Sequence, residues 1–127
     1  MNVTGKCECG AVQFEARDVR ESVNFCHCSQ CRRTSGHHWA ATRADNSKFR
    51  LTTADSLKWY ASSDFAKRGF CGTCGSSLFY QVNGADHIGI AAGCIDEPTG
   101  LTGGKHIFTA SKGDYYQIAD ALPQVED

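Results

Sequence analysis

Long apolar runs are missing from this chain, and so is any excess of one charge. No stretch of about 18 consecutive apolar residues occurs, so no segment is predicted to span a membrane. Thirteen basic and 14 acidic residues leave a formal net charge of -1. That balance removes the electrostatic argument for binding nucleic acid or a charged membrane surface. Repeats, linkers and low-complexity tracts are also absent, so residues 1–127 are predicted to form one domain.

A secretory signal is missing too. The start, MNVTGKCECG, has no basic region followed by an apolar stretch, so we expect a cytoplasmic protein. Thiols stay reduced in that compartment, which makes clustered cysteines more typical of metal ligands than of disulfides. Cys26 and Cys28 are also too close along an extended segment to bridge each other without strain.

Helical periodicity over three turns is absent, and 13 glycines with two prolines separate short segments. Strands are predicted at 12–16, 22–28, 38–43, 48–52, 57–61, 65–70, 78–82, 87–92, 107–110 and 115–118. Hairpins are expected around Asp45-Asn46, around 62–64 and around Asn83-Gly84. A single helical turn is expected at 29–35, ended by Gly36. The pattern predicts a mainly β fold of short antiparallel strands.

Cysteine is the residue type with a clear pattern. Seven of the eight cysteines fall into three clusters, which are Cys7 with Cys9, Cys26 with Cys28 and Cys31, and Cys71 with Cys74. A closed tetrahedral zinc site takes four ligands, so seven thiolates divide into four and three. Joining the two outer pairs gives a closed structural site. The central cluster then keeps three ligands and an open position, the arrangement of catalytic zinc. The alternative is that the cysteines are merely buried apolar residues.

The open site has further candidate ligands. A substrate thiol bound to zinc there would be deprotonated and held as its thiolate. His27 is a possible fourth protein ligand, although strand alternation turns it away from its cysteine neighbours. His37, His38 and His106 are weaker candidates. Cys94 stands alone and is interpreted as a small buried strand residue.

Basic residues near the cysteines are candidates for binding a substrate carboxylate. Arg32 and Arg33 directly follow the open cluster, and we assign substrate binding to them. Lys67 and Arg68 precede Cys71 and are further candidates, although most such charges are simply solvated.

Five segments together resemble one known family. They are GKCECGAVQFE, FCHCSQCRRTSG, KRGFCGTCGSSLFY, AAGCIDEP and HIFTASKGDYYQIADALPQ. In order and spacing the chain is similar to the glutathione-dependent formaldehyde-activating enzymes, whose domain also occurs in the centromere protein V group. The resemblance covers nearly the whole chain.

The resemblance implies a zinc-bound Mss4-like (β-tent) fold. It implies structural zinc on Cys7, Cys9, Cys71 and Cys74, and catalytic zinc on Cys26, Cys28 and Cys31. It also implies carbon–sulfur lyase chemistry, joining formaldehyde to glutathione as S-hydroxymethylglutathione or releasing it. The alternative function is a zinc-stabilised binding module without catalysis.

Overall fold

The computed structural model describes residues 1–127, which form two β-sheets and one short helix. The strands are β1 Val3–Lys6, β2 Gln13–Ala16, β3 Ser22–Cys26, β4 Trp39–Asp45, β5 Phe49–Thr53, β6 Leu57–Ala61, β7 Ala66–Cys71, β8 Ser77–Val82, β9 His87–Ala91 and β10 Thr102–Ile107. Helix α1 spans Ser29–Ser35, and short 3₁₀ turns cover Asn46–Lys48, Ala92–Cys94 and Thr109–Ser111. No helix has the length and apolar character needed to cross a bilayer.

The smaller sheet has the order β1-β2-β5, and the larger has the order β10-β3-β4-β9-β8-β7-β6. Neighbouring strands are antiparallel except for β10, which runs parallel to β3. The mainly β prediction is therefore confirmed, with one parallel pair that the sequence did not reveal.

The principal core contains residues from both sheets. Phe14 of β2 and Phe79 of β8 meet edge to face with ring centroids 5.3 Å apart, and Phe49 of β5 lies 5.2 Å from Phe79. Leu78 and Ile90 of the larger sheet are fully buried beside them. Burial of such side chains stabilises a fold by about 1.5–3 kcal/mol each.

The opposite face of the larger sheet carries a second, smaller cluster. Trp39, Cys31 and Ala91 are buried there, and Cys26 and Tyr80 pack against them. Side chains alternate across a strand, so Tyr80 points away from the core that its neighbour Phe79 enters. Helix α1 packs on this face, and the central cysteines lie at the end of β3 and the start of α1.

Most predicted strands are present within one or two residues of their expected ends. The hairpins around 62–64 and Asn83-Gly84 are confirmed as β6–β7 and β8–β9. Helix α1 also ends as expected, because Gly36 adopts a left-handed φ of 87° and donates its N–H to the Arg32 carbonyl.

Two expectations about strands are wrong. The segments around Asp45-Asn46 do not form a hairpin, because β4 pairs in the larger sheet and β5 in the smaller one. Residues 107–110 and 115–118 do not form a closing pair of strands. The last strand is β10, and its outer edge is bonded by the chain terminus, where Val125 donates to the His106 carbonyl.

Candidate metal centres and active site

The four-cysteine group brings the two outer pairs together. Cys7 and Cys9 lie in the loop after β1, Cys71 ends β7, and Cys74 lies in the turn that follows. Their four Sγ atoms all lie within 4.8 Å of one another. The Cys7–Cys9 sulfurs are 3.7 Å apart and the Cys9–Cys71 sulfurs 3.8 Å apart. Zinc–sulfur bonds of about 2.3 Å in a tetrahedron require sulfurs about 3.8 Å apart, so the donor set fits zinc.

Hydrogen-bond donors surround these sulfurs. Cys71 Sγ accepts from the backbone N–H of Thr73 and of Cys74, each at 3.4 Å. The Ser76 hydroxyl, 3.2 Å from Cys74 Sγ, is the largest cause that lowers the pKa of Cys74 to about 5. The Ser56 hydroxyl likewise lowers the pKa of Cys71. These donors thus favour the thiolate forms of Cys71 and Cys74, the form in which cysteine binds a metal, whereas the pKa of Cys9 is raised to about 11.

The three-cysteine group comes from a single stretch of chain. Cys26 is the last residue of β3, Cys28 is the N-cap of α1, and Cys31 lies in the first turn of that helix. The Cys31 N–H donates to Cys28 Sγ at 3.3 Å, so the helix start fixes both sulfurs. All three Sγ atoms lie within 4.8 Å of one another, and no fourth ligand belongs to this group. Three soft donors in this arrangement also suit zinc.

A cavity of about 460 Å³ opens beside the three cysteines. Its lining comprises Arg20, Asn24, Cys26, Cys28, Gln30, Cys31, Trp39, Ala41, Thr42, Arg43, Phe65, Arg68, Tyr80, Val82, His87, Gly89, Ile107 and Phe108. Phe65 and Phe108 are largely exposed and lie at its rim. A larger groove of about 780 Å³ against the smaller sheet has no cysteine in its lining, so the smaller cavity is the candidate site.

Arg68 is the cation nearest the three-cysteine group. It lies on β7 with 6% of its surface exposed, and its Nη2 donates to Cys31 Sγ at 3.3 Å. The guanidinium carbon lies 4.9 Å from the Tyr80 ring centroid and 5.5 Å from that of Trp39. Its Nε donates to Gln30 Oε1 at 2.6 Å. These contacts fix a buried positive charge beside the sulfurs.

The strand register places a second arginine across the cavity. Arg68 pairs with Tyr80, Tyr80 with Gly89, and Gly89 with Arg43. Paired residues share a face, so Arg43 and Arg68 stand in one row. Three strand spacings separate them, which puts their Cα atoms about 14 Å apart. Gly89 has no side chain and leaves the row open between Tyr80 and Arg43. The exposed Arg43 has no ion-pair partner.

Charge is unevenly distributed among the three thiols. The hydrogen bond from Cys26, with the positive charge of Arg68 as a further cause, lowers the pKa of Cys31 to about 6. The same contact with Cys31, together with burial, raises the pKa of Cys26. One negative charge is therefore already favoured on Cys31, and a bound dication would favour the thiolate forms of Cys26 and Cys28 as well.

Comparisons with known proteins decide the family. The family model described as "Glutathione-dependent formaldehyde-activating enzyme" matches residues 2–111. The chain belongs to this family. Among the similar proteins, the uncharacterized lyase C29B12.13 of Schizosaccharomyces pombe is 28% identical over 117 residues, which cover 91% of this chain and 85% of the relative.

A solved structure also matches this formaldehyde-activating family member. It is the crystal structure of a Rhodobacter sphaeroides protein, a structural genomics target, with 29% identity and a TM-score of 0.62. The match covers 74% of this chain and 88% of the other. The family and the lyase-named relative both indicate a lyase of the glutathione-related kind.

The histidines do not complete the three-cysteine group in this family member. His27 is 1% exposed and points away from the cysteines on either side. Its Nε2 lies 2.8 Å from His106 Nδ1, and its Nδ1 contacts the Tyr116 hydroxyl. His106 Nε2 in turn lies 2.9 Å from Asp120. Both nitrogens of both rings are engaged, so neither histidine is free to bind a metal at the cavity.

The remaining candidates occupy other positions. Arg32 and Arg33 lie on α1 but do not line the cavity, so their binding of substrate stays a prediction. His37 and His38 do not line it either. Cys94 lies in a 3₁₀ turn rather than a strand, half-buried, and burial raises its pKa to about 11.

Several cavity residues were not singled out by sequence reasoning. Trp39, Tyr80 and Arg43 carry no motif, and they meet only because β4, β9, β8 and β7 are neighbours in the larger sheet. The sequence predicted the strands that carry these residues. It did not give the strand order that joins them.

Proposed function

We propose that this protein is a zinc-dependent carbon–sulfur lyase acting on the adduct of a glutathione-type thiol with formaldehyde, resembling S-hydroxymethylglutathione. Two zinc ions per chain are proposed, a structural one on the four-cysteine group and a catalytic one on the three-cysteine group. The observation that carries the proposal is the contrast between the two groups. One has four thiols, whereas the other has three that line a cavity large enough for a substrate.

Zinc at the three-cysteine group would hold the substrate sulfur as a thiolate, poised to form or release a bond to carbon. Three protein thiolates give that site a net charge of -1, which weakens it as an activator of water. A soft thiolate is the better fourth ligand. Arg68 supports this additional negative charge, because its guanidinium already donates to Cys31.

The cavity also has groups suited to the rest of the thiol. Glutathione carries two carboxylates, and Arg43 offers a guanidinium with no ion-pair partner on a strand whose backbone lies about 14 Å from that of Arg68 across the sheet. Arg20 is less suited, because its Nε and Nη2 already donate to the carbonyls of Ser22 and Ala41. Arg32 and Arg33 are proposed as further attractors of carboxylates from α1.

Calorimetry with the zinc-loaded protein tests the proposal. Glutathione should bind at least about tenfold more tightly than S-methylglutathione, which keeps both carboxylates but offers no thiolate. In a cobalt-substituted protein, glutathione should shift the visible absorbance and S-methylglutathione should not. Equal affinities for the two ligands would show that the sulfur does not reach the metal.

The reaction itself is followed by proton NMR of formaldehyde and glutathione exchanging with their adduct. We expect the wild-type protein to accelerate this exchange. The Cys28→Ser variant should bind one zinc ion fewer and should no longer accelerate the exchange. Serine can still cap α1, so the helix should persist in this variant. Unchanged exchange in Cys28→Ser would rule out the three-cysteine group as the active site.

A further inference from the structure

Arg68 has one donor group that the fold does not use. Its Nε donates to Gln30, and its Nη2 donates to Cys31 Sγ. Its Nη1 is buried and has no hydrogen-bond partner in the protein. Buried donors are almost always paired, because leaving one unpaired is unfavourable. An acceptor on a ligand in the adjacent cavity would remove that penalty.

The position of this donor is fixed from two sides. Gln30 Nε2 donates to the Ser62 carbonyl at 3.0 Å, and this bond holds the Gln30 oxygen that accepts from Arg68. The rings of Tyr80 and Trp39 lie against the guanidinium. Because the guanidinium is planar and rigid, fixing Nε and Nη2 also fixes Nη1. A donor held in place before the reaction is the requirement for stabilising charge in a transition state.

Resting on the proposed function, we propose that Arg68 is a catalytic residue whose Nη1 binds the oxygen on the carbon that bonds to the substrate sulfur. In the forward step the thiolate sulfur forms a bond to the carbonyl carbon, and the carbon–oxygen π pair moves onto oxygen. That oxygen becomes an alkoxide, which then takes a proton from water. In the reverse step the adduct's hydroxyl returns its proton to hydroxide, the resulting alkoxide re-forms the carbonyl, and the carbon–sulfur pair returns to sulfur.

The location favours this oxygen over a remote carboxylate. Nη2 of the same guanidinium contacts a sulfur of the three-cysteine group, so Nη1 is near the point where a substrate sulfur would bind. A glutathione carboxylate lies several bonds from its sulfur and suits the distant Arg43 better. Arg68 therefore serves the reacting carbon, and Arg43 serves recognition.

Thioacetate and ethanethiol provide a test that does not depend on turnover. Thioacetate carries a hydrogen-bond-accepting oxygen on the carbon bonded to sulfur and shares its negative charge between the two atoms, whereas ethanethiol has no oxygen. The thioacetate-to-ethanethiol affinity ratio of the zinc-loaded protein should fall at least about tenfold in Arg68→Met and Arg68→Lys. Lys67→Met is the matched control, because Lys67 lies over Trp59 and does not line the cavity. An unchanged ratio in a folded, zinc-loaded variant would overturn the proposal.

A wild-type measurement covers the case in which both variants fail to fold. In protein labelled with ¹⁵N-arginine, thioacetate should shift the Arg68 side-chain resonance, and ethanethiol should shift it less. Equal shifts would contradict the assignment without any substitution.

Kinetics then separate this inference from the proposed function. With wild-type lyase activity established, Arg68→Lys should lower kcat for adduct formation about 100-fold while glutathione affinity changes less than about threefold. If Arg68→Lys instead weakened glutathione but not cysteamine, which lacks carboxylates, Arg68 would be a carboxylate-binding residue and the inference would be wrong. Absence of activity in the wild type would refute the lyase proposal, and the thioacetate comparison would still decide the role of Arg68.

Discussion

Replacing one cysteine in each metal group should have unequal effects on stability. The four-cysteine group ties Cys9 to Cys71, 62 positions apart, whereas Cys26 and Cys31 are five positions apart. The entropy of closing a loop grows with the logarithm of its length. Closing the longer loop therefore lowers the entropy of the unfolded chain more, a difference of about 2 kcal/mol in free energy. Cys74→Ser should accordingly destabilise the protein about 2 kcal/mol more than Cys28→Ser.

For a chain of this length, that difference corresponds to about 8 °C in melting temperature. Cys28→Ser is a suitable comparison, because serine preserves the cap of α1 and changes only the metal ligand. Thermal melting would be measured in a thiol-free reductant, with zinc counted by elemental analysis before each scan. Chelating the zinc from the wild-type protein should lower its melting temperature at least as far as Cys74→Ser does.

Loss of one zinc from each variant together with equal melting temperatures would contradict this prediction. Equal melting would mean that the four-cysteine group is not the long-range crosslink that its position between distant segments implies. A Cys74→Ser variant that kept both zinc ions would also contradict the prediction, since the remaining three sulfurs would then suffice to bind zinc.

Three further predictions concern the cavity and its surroundings. Gly89→Val should block the cavity and abolish activity while zinc content stays unchanged. A Cβ at this position would lie 3.3 Å from the Tyr80 carbonyl oxygen and 3.8 Å from the Trp39 ring, so the valine methyl groups would enter the cavity. Activity at the wild-type level would contradict this prediction. Arg43→Gln should weaken glutathione about fivefold by calorimetry and leave cysteamine unaffected, since an exposed cation contributes modestly; equal weakening of both ligands would argue against carboxylate binding. Burial lowers the pKa of His27 to about 4 from 6.5. As pH drops, the imidazole of the unfolded chain is therefore protonated before that of the folded protein. The free energy of unfolding should consequently fall between pH 6.5 and about 4. His27→Gln should flatten this part of the melting-temperature profile, and an unaltered profile would assign the loss to other groups.

Counting ligands predicted the two cysteine groups, because the number of ligands in a closed site does not depend on the fold. Four and three thiols are grouped as expected, and neither grouping depends on knowing the sheet order. The helix at 29–35 was predictable for a similar reason, since Gly36 is a local signal. Asn83-Gly84 predicted the β8–β9 hairpin in the same way.

Other contacts between segments far apart in the sequence could not be predicted. Strand β10 contains Gly103 and Gly104, which interrupt the alternation of apolar side chains, and it pairs in parallel with β3, about 80 residues earlier in the chain. Short-range patterns cannot show such a pairing. Arg68 illustrates the same limit in the candidate site. It was one of four basic candidates in the sequence, and only the packing of β7 against α1 brings it to Cys31.

The Cys26-His27-Cys28 stretch has a consequence for insertions and deletions. Alternation presents two sulfurs to the cavity and turns the imidazole between them to the reverse side, where it meets His106 and Tyr116. A shift of one residue would reverse every side chain, leaving one imidazole in the cavity and two thiols against the histidine and tyrosine. The chain can therefore accept a changed length in the loop before β3 only when the register of this stretch is kept. A single-residue deletion within β3 would break up the three-cysteine group and the His27 contacts with His106 and Tyr116 at the same time.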